Sequence, residues 1–245
     1  MIKKSSFTFI MGPCVIEDLG HAVRHATFLR KVSDEFHVPI IYKSSYTKDN
    51  RTSKDSPRGP GVVHGMDILR QLHDILPVCT DVHSVDELDI ILNNGGVTLL
   101  QIPAMLSRQT SLLEEAGTVG SQVMIKKMTT MVIDEIYHAA EKVGRSDTVL
   151  CERGTFHGYG KNVIDFQNVI NMVASPYSVV VDVTHPALYP SYALPLAKAA
   201  CALKVDGIFC EVHENPSTAP SDGARMLRLD QVEHFVEQCL KVRWA

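Results

Sequence analysis

Cys14, His185, Glu211 and Asp222 are the residue types in this sequence that could jointly hold a divalent ion. Thiolate, imidazole and carboxylate together suit a borderline metal such as Zn2+, Mn2+, Fe2+ or Co2+. No short CxxC or HxxxH spacing groups them, so only the fold could bring them together, and Cys14 reads equally well as an inert buried thiol. His213, two positions beyond Glu211, is expected to face elsewhere. A second set is cationic: Lys43, Lys48, Arg51, Arg108, Lys126, Lys127 and Arg153. Arg presents a planar fork that fits phosphate, and Lys adds a point charge. Gathered at one place they would serve two phosphate-like dianions. The plainer reading pairs some of them with Asp49, Asp55 or Glu152.

Positioning such residues is the work of eight short apolar runs: Phe7–Met11, Pro39–Lys43, Val78–Val82, Val97–Pro103, Gln122–Lys126, Thr148–Glu152, Ser178–Val183 and Gly207–Val212. They are rich in Val, Ile and Leu with little alternation, the pattern of strands buried on both faces of a parallel sheet. Between them lie amphipathic segments. His64–Leu76 carries an apolar stripe, and Ser84–Leu92 opens on a capping-box pattern with Glu87. Thr129–Val143 and Leu229–Leu240 read as helices too, the latter with Asp230 in its first turn. Alternating strands and helices imply a parallel sheet with right-handed crossovers, and eight units close into a barrel. A doubly wound open sheet ranks second, because no Gly-x-Gly-x-x-Gly turn follows the first run. The expected architecture is a single-domain (β/α)8 barrel over residues 1–245, a usual length for that fold. In such a barrel the chemistry sits at the C-terminal strand ends, which is where both residue sets fall.

Composition narrows the class further. With 245 residues, 24 Lys+Arg, 28 Asp+Glu and a net charge of −4, the chain lacks the basic stripe expected of a nucleic-acid binder. No apolar stretch approaches the ~18 residues of a membrane span. Phe7–Met11 after Lys3 and Lys4 is too short for a signal-peptide core. Six scattered cysteines then point to reduced thiols and a cytoplasmic enzyme.

Several motifs stand in one order along the strand ends: Lys43-Ser-Ser-Tyr-Thr-Lys-Asp-Asn-Arg-Thr-Ser53, Arg58-Gly-Pro-Gly61, Thr80-Asp-Val-His83, Gln101-Ile-Pro-Ala104 with Arg108-Gln-Thr110, Ile125-Lys-Lys127, Leu150-Cys-Glu-Arg-Gly154, Asp182-Val-Thr-His185 and Ser221-Asp-Gly223. From about Gly12 to the C-terminus this series resembles the 3-deoxy-D-manno-octulosonate 8-phosphate (KDO8P) synthase family, which serves lipopolysaccharide biosynthesis. The resemblance implies a TIM barrel transferase that condenses phosphoenolpyruvate with D-arabinose 5-phosphate and water. It implies that Lys43, Ser45, Lys48, Gln101, Ala104, Lys126 and Arg153 hold phosphoenolpyruvate. Asn50, Arg51 and Thr52 would contact the pentose phosphate, with Arg108 reaching a phosphate from a neighbouring subunit of a homotetramer. Lys43, Lys48, Asp81, Lys126 and His185 would carry the catalysis. Cys after Gly-Pro and Ser before Asp-Gly resemble the metal-dependent branch, whose ligands map to Cys14, His185, Glu211 and Asp222. The chain departs from the pattern after the fifth and seventh runs, where Lys127-Met-Thr-Thr-Met131 and a short Pro186–Pro195 stretch stand in place of longer loops. Two alternatives remain open: the same chemistry on another phosphosugar aldehyde, such as the erythrose 4-phosphate of the related heptulosonate (DAHP) synthases, and a non-catalytic phosphosugar-binding barrel.

Overall fold

The structure is a computed structural model that describes residues 1–49, 53–158 and 162–245. Eight parallel strands form the barrel: β1 (Thr8–Gly12), β2 (Ile40–Lys43), β3 (Val78–Asp81), β4 (Leu99–Ile102), β5 (Gln122–Lys126), β6 (Val149–Glu152), β7 (Ser178–Asp182) and β8 (Gly207–His213). They pair in sequence order, and β1 pairs with β8 in parallel from Thr8↔Gly207 to Gly12↔Glu211. That closure excludes the open-sheet alternative. The outer layer is α1 (Leu19–Phe36), α2 (Val62–Leu72), α3 (Val85–Asn94), α4 (Thr110–Thr118), α5 (Ile133–Val143), α6 (Phe166–Ala174), α7 (Ala193–Ala202) and α8 (Val232–Arg243).

Strand alternation sorts the core into two. Ile10, Ile41, Cys79, Leu99, Met124, Val149, Cys151, Val180 and Phe209 fill the barrel interior, joined by Ile2. Their neighbours Phe9, Met11, Leu100, Val123, Ile125, Leu150 and Val181 pack outward with the helices. Ile2 seals the N-terminal end: its N–H donates to Gln122 Oε1 (2.9 Å), and Gln122 Nε2 donates back to the Ile2 carbonyl (2.8 Å). The cavity must therefore open at the C-terminal end. Gly12 is required there, because a Cβ at that position would collide with the Lys43 carbonyl. The close approach lets Val15 bridge to Ser45 beyond the strand ends and sets Cys14 beside Ser45.

Four local expectations need correction. Residues 129–132 are not helical, because the Thr129 carbonyl accepts the Phe156 N–H (2.9 Å) of a small hairpin, Thr155–Phe156 with Asn162–Val163. The helix therefore starts at Ile133. Ser84 caps α3 by accepting the Glu87 N–H (3.4 Å), but the capping box is half formed. The Glu87 carboxylate turns away to accept the His83 N–H (2.8 Å) and the Tyr46 hydroxyl (2.7 Å). Asp230 lies in a 3-10 turn ahead of α8 and pairs with Arg228 (2.8 Å). The segment expected over 64–76 begins two residues earlier and ends at Leu72. No helix among the described residues is long and apolar enough to cross a membrane, and all six cysteines are buried and unpaired.

Candidate active site at the C-terminal mouth

A cavity of about 500 Å3 opens at the strand ends, within the usual range for a small-ligand site. Lys43, Lys48, Gln101, Lys126 and Arg153 line it together with Asp81, His185, Glu211 and Ala104. Lys43 donates to Ser45 Oγ (2.8 Å) and stands 3.8 Å from the Asp81 carboxylate. Lys126 donates to Asp182 Oδ2 at 2.6 Å, with its ammonium 3.4 Å from the centre of the Phe209 ring. Asp182 and Asp81 are both buried, which alone would raise their pKa. Neighbouring groups outweigh burial and hold both well below the ordinary carboxylate value: His185, which also hydrogen-bonds it, and Lys126 for Asp182, and Lys43 and Lys48 for Asp81.

On the wall formed by β1, β8 and the loop beyond, Cys14, Glu211 and Asp222 place ligand atoms within 4.8 Å of one another. Cys14 Sγ lies 3.1 Å from Asp222 Oδ2 and 3.4 Å from Ser221 Oγ. Burial, with Glu211 adding, pushes the Cys14 thiol up to about 12. Burial would raise Asp222 too, but His185 and hydrogen bonds from Cys14 and Ser221 bring it down to about 2. Asp222 adopts left-handed backbone (φ 54°), tolerated by Asp and followed by Gly223, which turns its carboxylate to Cys14. Both oxygens of the Glu211 carboxylate are buried without a hydrogen-bond partner among the described residues. An unsatisfied buried carboxylate is costly and needs an explanation. A cation between Glu211, Cys14 and Asp222 supplies one, so the donor set fits a metal.

The profile of the DAHP synthetase I family matches residues 3–245. The chain belongs to that family. Among its relatives, the 2-dehydro-3-deoxyphosphooctonate aldolase of Rickettsia bellii (strain OSU 85-389) is 38% identical over 251 residues, covering 96% of this chain and 91% of its own. The enzyme of that name from Syntrophobacter fumaroxidans is 38% identical over 257 residues (98% and 88%), and the one from Pisum sativum 36% over 259 residues (96% and 88%).

For this family member, the fold gathers most of the residues singled out by sequence. Lys43, Ser45, Lys48, Asp81, Gln101, Ala104, Lys126 and Arg153 converge at the mouth. Of the four expected ligands, Cys14, Glu211 and Asp222 cluster tightly. His185 lines the same cavity but stands outside that 4.8 Å group, its Nδ1 tied to Asp182 (2.7 Å). Asn50, Arg51 and Thr52 lie outside the described residues. Two expected cations are elsewhere. Lys127 is fully buried against Glu152 (3.5 Å) and Thr155 (3.1 Å), because the residue after Lys126 faces the opposite side. Arg108 is exposed, pairs with Glu135 (3.0 Å) and lines a separate groove. Asp49, a possible partner for the site cations, pairs with Arg58 instead.

Two features were missed. Phe209 forms the aromatic floor under Lys126; strand alternation two residues before Glu211 would have pointed it inward. The second is a chain of ionisable groups behind Asp81, in which His83 stands 3.5 Å from both Asp81 and Glu87. Burial would lower His83, but its two carboxylate partners hold it up at about 9. Folded protein therefore binds a proton that unfolded chain releases between about pH 6.5 and 9, and this contribution is lost as pH rises through that window. His25 behaves oppositely: burial, then His21, brings it down to about 4, so stability is also lost as pH falls from 6.5 toward 4. Urea unfolding across pH should show maximal stability near pH 6.5. His83→Gln should flatten the alkaline limb, worth on the order of 3 kcal/mol, and an unchanged limb would refute the assignment.

His213 does face away from the mouth, gathering with His21 and His25. His25 Nδ1 donates to the His21 carbonyl (2.9 Å), leaving Nε2 to accept the Glu214 N–H (3.1 Å). His213 Nδ1 accepts the Asn215 N–H (2.9 Å), and its Nε2–H faces Glu17 (2.7 Å). Two of the three rings thus commit their lone pairs to backbone N–H groups. The cluster pins α1 to the end of β8 and is not a ready three-nitrogen metal site.

Proposed function

We propose that the chain, as one catalytic unit over residues 1–245, condenses phosphoenolpyruvate with D-arabinose 5-phosphate and water to give 3-deoxy-D-manno-octulosonate 8-phosphate and inorganic phosphate. The observation that carries this reading is the mouth itself: four cations and a buried carboxylate without a hydrogen bond among the described residues, beside Cys14 and Asp222. Near full-length similarity to relatives named 2-dehydro-3-deoxyphosphooctonate aldolase supports it.

In this reading Lys43, Ser45, Lys48, Gln101, Ala104, Lys126 and Arg153 bind phosphoenolpyruvate, the cations neutralising its carboxylate and phosphate. Asp81, steadied by Lys43 and His83, accepts a hydrogen bond from a sugar hydroxyl. Asn50, Arg51 and Thr52 take the pentose phosphate. Arg108, turned away from its own cavity, serves a neighbouring subunit of a homo-oligomer, read as a tetramer. The enol C3 attacks the aldehyde carbon, whose oxygen becomes a hydroxyl. Water adds at C2, one of its protons ending on the former aldehyde oxygen, and the C2–O bond to phosphate then breaks as the new C2 hydroxyl gives up its remaining proton and becomes the ketone. Cys14, Glu211 and Asp222, with His185 as fourth ligand, hold Mn2+, Fe2+, Co2+ or Zn2+. When bound, that ion supplies Lewis-acid polarisation and orientation of the aldehyde. The residues around it hold both substrates in one orientation and shield the reacting carbons from bulk water.

Loss of the enol absorbance tests the proposal. Phosphoenolpyruvate should be consumed with arabinose 5-phosphate and not with erythrose 4-phosphate. Chelation should abolish turnover, and added Mn2+ or Co2+ should restore it. Consumption with erythrose 4-phosphate alone reassigns the aldehyde, and consumption with neither leaves a phosphosugar-binding barrel. Full activity in metal-stripped protein removes the metal from the reading.

A further inference from the structure

Asp182 ends β7 as a completely buried carboxylate, and every acceptor position on it is occupied. Oδ1 accepts the backbone N–H groups of Thr184 (3.0 Å) and His185 (3.1 Å). Oδ2 accepts Lys126 Nζ (2.6 Å) and His185 Nδ1 (2.7 Å). An ionised carboxylate offers about four lone-pair sites, and four donors fill them. Because Nδ1 donates to Asp182, the ring hydrogen of neutral His185 resides there and Nε2 keeps its lone pair. That is the tautomer a metal ligand requires. The Lys126 ammonium, between Asp182 and the face of Phe209, has one N–H engaged here and further donors for a ligand in the cavity.

We infer that Asp182 is a positioning residue joining the two halves of the site, orienting His185 as a ligand through Nε2 and holding Lys126 where an anionic substrate enters. The inference rests on the proposed function for the identity of metal and substrate. Its consequences are read from binding, which needs no turnover.

Asn is the informative replacement because it preserves shape and removes acceptors. The backbone N–H groups of Thr184 and His185 are fixed, so the carboxamide oxygen stays with them. The amide NH2 then confronts two donors, Lys126 and His185 Nδ1. Asp182→Asn is expected to weaken Co2+ binding about 10–100-fold in chelator competition, as loss of a partner to a ligating His does. The absorption spectrum of the Co2+-loaded protein should change. Calorimetric affinity of metal-free protein for phosphoenolpyruvate should fall roughly tenfold as the charge-assisted hold on Lys126 is lost.

The control is Asp206→Asn, just before β8 and bonded to the opposite end of β7. Asp206 is also a buried carboxylate, capping the N–H groups of Ser5 (2.6 Å) and Val179 (2.9 Å). That variant should lower the unfolding midpoint and leave Co2+ and phosphoenolpyruvate affinities unchanged. Asp182→Glu keeps the charge and should retain more of both affinities than Asn. If Asp182→Asn does not fold, Asp182→Glu carries the test, reduced Co2+ affinity with an altered spectrum being the supporting result. Wild-type affinities for both ligands in the Asp182 variant, or equal losses in Asp206→Asn, overturn the inference. Failure of wild-type protein to condense either aldehyde counts against the proposed function alone.

Discussion

Glu211→Gln is expected to lower kcat/KM on the order of 10^3-fold or more while making the metal-free protein more stable. Both effects come from one observation, the pair of buried Glu211 oxygens without a hydrogen-bond partner among the described residues, beside Cys14 and Asp222. A carboxamide is a poor ligand for a hard or borderline cation, so the ion is lost together with the several kcal/mol of transition-state stabilisation it supplies. In the metal-free protein the same change removes a buried carboxylate that has no hydrogen-bond partner among the described residues and faces the charge of Lys48 without bonding to it, so unfolding free energy should rise by about 1 kcal/mol. Steady-state rates and urea unfolding of stripped protein measure the two halves. Activity near wild type would place the metal, if any, elsewhere. A loss of activity with a parallel loss of stability would show Glu211 to be structural.

Lys126→Met is the second large effect. Methionine keeps the length of the side chain and its contact with the face of Phe209, and removes the charge that Asp182 holds at 2.6 Å. Loss of a preorganised cation aimed at an anionic substrate costs about 10^2–10^3-fold in rate. The KM for phosphoenolpyruvate should rise and that for the aldehyde should move less. Breaking a buried pair from one side typically costs about 3–5 kcal/mol, and here the cost should be smaller because Asp182 keeps three other donors. Equal changes in KM for both substrates would place Lys126 away from the phosphoenolpyruvate half. Lys127→Met removes a cation that lies outside the cavity, so it should affect stability more than rate.

The contrast between those two lysines marks how far the sequence is legible. The runs ending at Lys43, Val82, Lys126 and Glu152 could be read because buried parallel strands leave continuous apolar stretches, and their ends locate the mouth to within a residue. Alternation was the under-used signal. It turns Phe209 inward with Glu211 and puts Lys127 on the face opposite Lys126. Helix starts were read less well where a carbonyl or carboxylate had a distant partner. Thr129 is claimed by Phe156 and Glu87 by His83 and Tyr46, and neither competition leaves a trace in local spacing.

The sequence by itself determined that eight apolar strand ends would carry ionisable groups to one end of a barrel, and which of those groups suit metal and phosphate. Periodicity and residue chemistry are local properties, so a single chain displays them openly. Only the tertiary structure decided which groups meet. Pairing of β1 with β8 brings Cys14 against Asp222 across 208 positions, and the β5–β7 side of the barrel sets Lys126 on Asp182 across 56. It also decided that Arg108 turns to Glu135 and that Glu211 is left with no hydrogen-bond partner among the described residues. Closure of the sheet is a global constraint, and hydrogen-bond partners are chosen by what closure places within about 3 Å, which no spacing along the chain encodes.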